Sequence, residues 1–332
     1  MLINKFIFFL ILSFAISSCI PEEDPVQPYD RGDVQQNQLS ESMYFISSYY
    51  NFEKSQFVKS HDKNNWDIAF YGVDSLHYVI MNWSRSAKAI KADTYDFEAN
   101  IEEPDTFFID DPLGDLNKSV FGEWWLNTQN DWSEVFVLNR GNIPGQRPFG
   151  VYKIQFQLLN KDLVFRYQNI EGGDINYDTI RKNQDYNFVY NSFQTPGVAI
   201  FNEPPRDDWD IVFTEYTDYV PYDDPSLGEE AYQVRGVLIN RYNGVEAAVL
   251  TDSLDFNNVT FSDIDNINMI KDLNVIGYDW KGFSLEENTY TVFPEFNYVV
   301  KDTKGFFLKL RFTDFNNDSG VRGFPTFEYK KL

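Results

Sequence analysis

The chain has 332 residues, with 28 Lys and Arg against 51 Asp and Glu, a formal net charge of −23, 2 His and 1 Cys. That charge excludes a nucleic-acid binder, which needs clustered Lys and Arg for phosphate, and it excludes docking onto anionic lipid through protein charge. The single Cys and paired His exclude a disulfide framework, a Cys-rich metal centre and a His-built catalytic centre, while a hydrophobic share of 43 % and an aromatic share of 18 % describe a folded globular protein.

Residues 1–18 read as an export signal. Lys5 precedes an apolar run from Phe6 to Ile16, followed by Ser17 and Ser18. The run is shorter than the about 20 residues a membrane-spanning helix needs. Ile16-Ser17-Ser18-Cys19 resembles the bacterial lipoprotein cleavage box, in which the cysteine becomes the mature N-terminus and carries acyl chains. The chain's one cysteine stands at that position, which predicts lipidation at Cys19 and anchoring in outer-membrane lipid. Acyl chains hold a protein on a membrane at about 0.8 kcal/mol per buried CH₂, so an acidic chain needs no basic patch. Residues 19–38 carry Glu22-Glu23-Asp24, Pro25 and Pro28 without apolar periodicity, which predicts a flexible acidic tether. The short acidic run after Cys19 is similar to the surface-export signal of lipoproteins in the Bacteroidetes.

The remainder reads as a diverged tandem repeat, with domains expected over 39–175 and 176–332. Asn65-Trp66-Asp67-Ile68-Ala69-Phe70 recurs 143 residues on as Asp208-Trp209-Asp210-Ile211-Val212-Phe213. Val79-Ile80-Met81-Asn82 recurs 158 residues on as Val237-Leu238-Ile239-Asn240, and Lys153-Ile154-Gln155-Phe156 recurs 156 residues on as Lys309-Leu310-Arg311-Phe312. Upstream, Tyr50-Asn51-Phe52 matches Tyr190-Asn191 and Phe193. The order is kept, and the largest change of offset falls at 217–232, an insertion in the second copy. A unit this long present twice means duplicated domains and not a solenoid.

The repeated segments alternate with a period of two, as half-buried strands do. Trp66, Ile68 and Phe70 alternate with Asp67 and Ala69; Leu308, Leu310 and Phe312 alternate with Lys309, Arg311 and Thr313. Residues 316–320 read as a hairpin connection. Residues 262–272 are a short helix candidate, with Asp263 at its start. The expected fold is all-β with minor helix, two tandem antiparallel domains.

Three pieces carry a family resemblance: Trp209-Asp210-Ile211-Val212-Phe213, then Val237-Leu238-Ile239-Asn240, then an ending that runs Lys309-Leu310-Arg311-Phe312-Thr313-Asp314-Phe315 and closes on Gly323-Phe324-Pro325-Thr326-Phe327-Glu328-Tyr329. Together they resemble the HmuY family, haem-binding surface or secreted lipoproteins of Bacteroidetes. The first copy keeps the Trp-Asp-Ile and Lys-x-Gln-Phe pieces and lacks the Gly-Phe-Pro element. The resemblance implies an HmuY-like fold, haem as bound ligand, a role in haem and iron acquisition, and transfer to an outer-membrane haem receptor. It also implies two axial His or Met side chains on the iron. The candidates here are His77, Met81, Met43 and His61, and imidazole and thioether are both haem ligands. On a continuous strand His77 and Met81 would share one face about 13 Å apart, so a partner from elsewhere is needed. Arg85, Lys88 and Lys91 form a basic island suited to haem propionates or another anion. Trp83, Trp124, Trp125 and Trp132 offer rings for a porphyrin or a sugar, or for core packing.

No enzyme is expected. The chain contains no Gly-rich phosphate loop, no Gly-x-Ser-x-Gly and no His-Glu-x-x-His, and no spacing singles out a pair of its many carboxylates as glycosidase groups. Asp314, Asn316 and Asp318 fail the calcium-loop pattern. The competing function is a glycan-binding or structural surface module of the same fold without haem.

Overall fold

Alternating strands need partners, and the pairing found is antiparallel throughout. The computed structural model describes residues 31–73, 75–159, 162–222, 224–250 and 254–332. The export signal, Cys19 and most of the expected tether lie outside them. Residues Gly32–Leu332 form one compact unit.

Four main sheets build this unit. A five-stranded sheet runs in the order Gln35–Gln38, Arg322–Lys331, Phe307–Asn316, Asn297–Lys301 and Glu246–Leu250. A seven-stranded sheet is centred on Val151–Leu159, which pairs with Asp162–Asn169 on one side and with Phe136–Asn139 and Trp132–Ser133 on the other. Lys88–Lys91 joins this sheet through Phe136–Asn139. A three-stranded sheet holds Phe188–Asn191, Ile68–Tyr71 and Val79–Met81, and a four-stranded sheet holds Glu229–Ile239, Ile211–Pro221, Ile46–Asn51 and Gln56–Asp62. The all-β, antiparallel expectation holds. The only helical elements among the described residues are short 3₁₀ turns.

Strand pairing crosses the expected boundary at 175/176, and it does so reciprocally. Ile46–Asn51, which carries the first Tyr-Asn motif, pairs with Ile211–Pro221, which continues the second Trp-Asp motif. Phe188–Asn191, which carries the second Tyr-Asn motif, pairs with Ile68–Tyr71 behind the first Trp-Asp motif. The cores follow the same exchange. Tyr50 and Phe52 are buried with Phe213, Trp280, Phe312 and Phe327, whereas Val189 and Phe193 are buried with Phe70, Phe136, Phe156 and Phe165. Period-two patterning decides which face of a strand is apolar but not which strand it pairs with, so the exchange is invisible at the level of residue order.

Local expectations hold with adjustments. Leu308, Leu310 and Phe312 face the core, while the Arg311 guanidinium lies 4.4 Å from the Phe256 ring centroid. Ile68 and Phe70 face one core, but Trp66 packs with Ala69, Ile80, Phe188 and Tyr190 on the other side. Trp66 precedes the strand and is not bound by its alternation. Gln35–Gln38, expected in the tether, instead forms an edge strand on Arg322–Lys331; a backbone ladder needs no apolar side chains. The helix candidate at 262–272 reduces to a 3₁₀ turn, Phe261–Asn266, with Thr260 and Asp263 forming a capping box. Residues 217–222 and 224–232, expected as an insertion in a second copy, lie in the outer part of the hairpin between Ile211–Pro221 and Glu229–Ile239.

Candidate functional site

The hairpin, the turn Trp83–Arg85 and the loop 107–116 meet in a trough. Three hydrogen bonds pin the hairpin to the turn: Thr217 Oγ1 donates to the Trp83 carbonyl at 2.8 Å, Gln233 Nε2 to that of Ser84 at 2.7 Å, and Ser84 Oγ to that of Glu215 at 2.7 Å. The loop is tied down by mutual backbone bonds between Ala89 and Phe108 and by the Leu273 N–H donating to the Leu113 carbonyl at 2.8 Å.

Two hollows lie along this trough and share Ile109. The first is an apolar cavity of about 40 Å³ walled by Met81, Trp83, Tyr216, Leu238, Tyr242 and Leu273, with Asp110 at its side. A water needs about 10–15 Å³, so the cavity as it stands takes a few waters or a small apolar group. The buried Tyr216 hydroxyl has no hydrogen-bond partner among the described residues. The second hollow is an open cleft of about 260 Å³ lined by Ser86, Lys88, Ile109, Asn139, Asn142 and Ala231.

Asp110 anchors the loop against the strand Val79–Met81. Its carboxylate accepts the backbone N–H of Met81 at 2.7 Å and that of Val120 at 2.9 Å. Burial pushes its pKa up to about 6, against the lowering effect of those bonds. Sequence reading missed Asp110, because one more Asp in an acidic chain acquires meaning only through burial.

The axial candidates are dispersed. Met43 is fully buried in the core that holds Tyr50, Phe52 and Trp280. The His61 ring stacks on Tyr49 with centroids 5.9 Å apart, and its Nδ1 donates to the Asp62 carbonyl at 2.8 Å. Burial lowers its pKa to about 4, so it is neutral at pH 7. His77 precedes the strand Val79–Met81, so the shared strand face expected for His77 and Met81 does not exist. Its ring packs 5.6 Å from Trp125 and 6.4 Å from Trp124. Met81 is buried among Phe70, Phe121 and Phe156 and alone of the four lines the trough.

The basic island divides too. Arg85 is 1 % exposed, paired with Asp67 and stacked 4.0 Å from the Phe149 centroid, so its charge is already used in the interior. Lys91 faces Glu134 at 3.6 Å. Lys88 lines the cleft; its ammonium lies 5.3 Å from the Phe107 centroid and has no acidic partner among the described residues. Of the tryptophans, Trp83 lines the cavity, Trp124 packs in the core, Trp125 flanks His77 and Tyr78, and Trp132 lies under the Arg166 guanidinium.

These residues fit one part of a haem and not another. The trough offers an apolar wall, one thioether and the Lys88 cation, but its apolar cavity of about 40 Å³ is too small for a macrocycle and also carries Asp110, Asp111 and Asp115. It brings no second His or Met opposite Met81, so it does not fit an iron clamped between two such ligands. Among the described residues no group of three or more His, Cys, Asp or Glu is placed to hold a metal ion, and no helix is long and apolar enough to cross a membrane.

Comparison with known proteins adds the lineage. No curated protein matches the sequence. The structure is similar to the crystal structure of the apo HmuY analog of Tannerella forsythia, at 11 % identity and TM-score 0.34, covering 91 % of this chain and 98 % of that one. It is also similar to apo PinO from Porphyromonas gingivitis, at 11 % identity and TM-score 0.26 with the same coverage. A family model described as HmuY protein matches residues 46–329 in one span that includes both Trp-Asp motifs, the trough and the C-terminal hairpin. The chain belongs to the HmuY family.

Proposed function

We propose that this chain is a surface-exposed lipoprotein, held in the outer membrane by acylated Cys19, that captures haem for iron acquisition and passes it to an outer-membrane receptor. It holds its ligand and performs no chemistry on it. The observation that carries this reading is the family match over 46–329. The trough supports it as the place of capture, since ligand sites combine apolar walls with a few placed polar groups. The cleft of about 260 Å³ falls just below the usual range of about 300–1,000 Å³, so the ligand stays partly exposed, as suits a molecule that must be handed on.

Titration of the soluble chain from residue 20, which contains the whole compact unit, tests this. Haemin should produce a saturable one-to-one quench of tryptophan emission, in which Trp83 takes part. A spectrum identical to free haemin, with no quench, would refute capture. The polar lining by Asn139 and Asn142, with exposed Tyr219 on the hairpin face that carries Ala231, favours a glycan as the second reading; binding on a glycan array without haemin binding would establish it.

A further inference from the structure

The open cleft beside the apolar cavity is polar, and the charge of its lining is as informative as its shape. We infer that it takes a small hydroxylated carboxylate, a sugar acid of the uronic type, with Lys88 holding the carboxylate. The inference rests on the glycan reading of this cleft and names its ligand class; it makes no use of haem.

Three observations carry it. The first is charge. The chain has 51 Asp and Glu against 28 Lys and Arg, yet no acid lines the cleft, and the nearby Asp110, Asp111 and Asp115 line the other hollow. Arg85 and Lys91, on either side of Lys88 in sequence, pair with Asp67 and Glu134. Lys88 has no acidic partner among the described residues, and its ammonium lies 5.3 Å from the Phe107 centroid at the cleft. A cation held there without a counter-charge suits a carboxylate. The second is a set of unused donors. Asn139 Oδ1 accepts the Gly141 N–H at 2.9 Å, which leaves its Nδ2 without a partner among the described residues. The Asn142 amide makes no side-chain hydrogen bond among them, and Ser86 Oγ meets only the Thr217 hydroxyl, at 3.5 Å. Hydroxyls donate and accept, so two amides and a serine suit a polyol, whereas an apolar acid would bury these groups unpaired. The third is that the site is set before a ligand arrives. Lys88 and Asn139 are direct partners in the ladder between Lys88–Lys91 and Phe136–Asn139. The Asn142 N–H donates to the Arg85 carbonyl at 3.1 Å, against which Gly141 also packs. Ala231 stands opposite Tyr219 in the hairpin, so both side chains share a face, and the exposed Tyr219 ring offers a platform for the C–H face of a sugar. Groups placed in advance lower the entropy cost of binding.

The experiment titrates methyl glucuronide, methyl glucoside and the neutral methyl glucuronamide into the soluble chain from residue 20, read by calorimetry and saturation-transfer NMR. The glucuronide should bind about tenfold tighter than either neutral sugar, as one charge-assisted hydrogen bond supplies, and acetate at equal concentration should compete poorly. Lys88→Gln should bring the glucuronide down to the level of the glucoside at an unchanged urea midpoint, and Asn142→Ala should weaken all three sugars. Lys91→Gln, whose ammonium faces Glu134 and does not line the cleft, should leave all three unchanged. Equal affinity for the three sugars, or a preference for the glucuronide that survives Lys88→Gln, overturns the inference and leaves the glycan reading standing. Acetate competing as well as the glucuronide overturns the sugar part of the assignment. Binding of none of the three sugars overturns the inference outright, and the glycan array then decides the glycan reading on its own.

Discussion

Asp67 accepts the backbone N–H of Phe193 at 2.7 Å, across the boundary between the two matched halves. Asp210, its counterpart 143 residues on, accepts the N–H of Phe52 at 2.8 Å in the opposite sense. Each Trp-Asp motif thus holds the aromatic plug of the other half, and each plug enters the core beyond it. In both halves an Asn completes the arrangement, with Asn82 Nδ2 donating to the Trp66 carbonyl and Asn240 Nδ2 to that of Trp209.

Asp67 also neutralises two buried cations. Arg140 binds it through Nε at 2.8 Å and Nη2 at 2.9 Å, and Arg85 pairs with the same carboxylate. Burial pushes the Asp67 carboxyl up, but the two guanidinium charges and the Phe193 N–H outweigh it and hold it below the usual range. Its contribution to stability is therefore present above about pH 4, the unfolded value, and is lost as pH falls through the lower folded value. Asp67→Asn leaves both Arg residues without a counter-charge and should cost about 3–5 kcal/mol, seen as a lower urea midpoint at unchanged slope. An unchanged midpoint would contradict this account.

Glu203 titrates in the opposite sense. It is 2 % exposed, accepts the Phe188 N–H at 2.7 Å, and burial raises its pKa to about 8. The contribution is full below about pH 4.3, the unfolded value, and is lost as pH rises from there through about 8. Each pH step of one between those two values removes about 1.4 kcal/mol, so wild type should lose several kcal/mol relative to Glu203→Gln between about pH 5 and pH 9. Urea unfolding at both pH values measures it, and equal losses in the two proteins would count against it.

Gly141 lines the cleft with φ +76°, and a Cβ there would run into the Arg85 carbonyl. Gly141→Ala combines left-handed backbone strain with a backbone collision and should cost about 3 kcal/mol or more. Ligand affinity should fall as the cleft wall shifts, while Gly145→Ala, at φ +78° with no atom near its added carbon, should cost about 1–2 kcal/mol and leave affinity unchanged.

The anchor is tested separately. Cys19→Ser should abolish incorporation of labelled fatty acid and move the protein from the membrane fraction to the soluble one, with porphyrin binding unaltered. Continued fatty-acid labelling of the variant would remove Cys19 as the acylation site.

Fold class was legible because alternation at Leu308, Leu310 and Phe312 reports a half-buried strand directly. The family resemblance was legible because Trp209, Asp210 and Asn240 have fixed hydrogen-bonding duties that keep their spacing. The site was less so. Arg85, Lys88 and Lys91 are neighbours in sequence, yet one is interior, one lines the cleft and one pairs at the surface. Met81 was named because the resemblance implies axial His or Met side chains, but its burial depends on Phe121, Phe136 and Phe156, far along the chain. The exchanged pairing left no local trace, since a strand's period is the same whichever neighbour it joins.

That exchange bears on how the polypeptide matures. Synthesis delivers the Trp66 segment long before Phe193, and Gln35–Gln38 waits for Arg322–Lys331, its ladder partner almost 300 residues on. Contacts between such distant residues close slowly. The core that holds Phe70 and Phe156 therefore lacks Val189 and Phe193 until those residues are made, so the leading half completes its packing late.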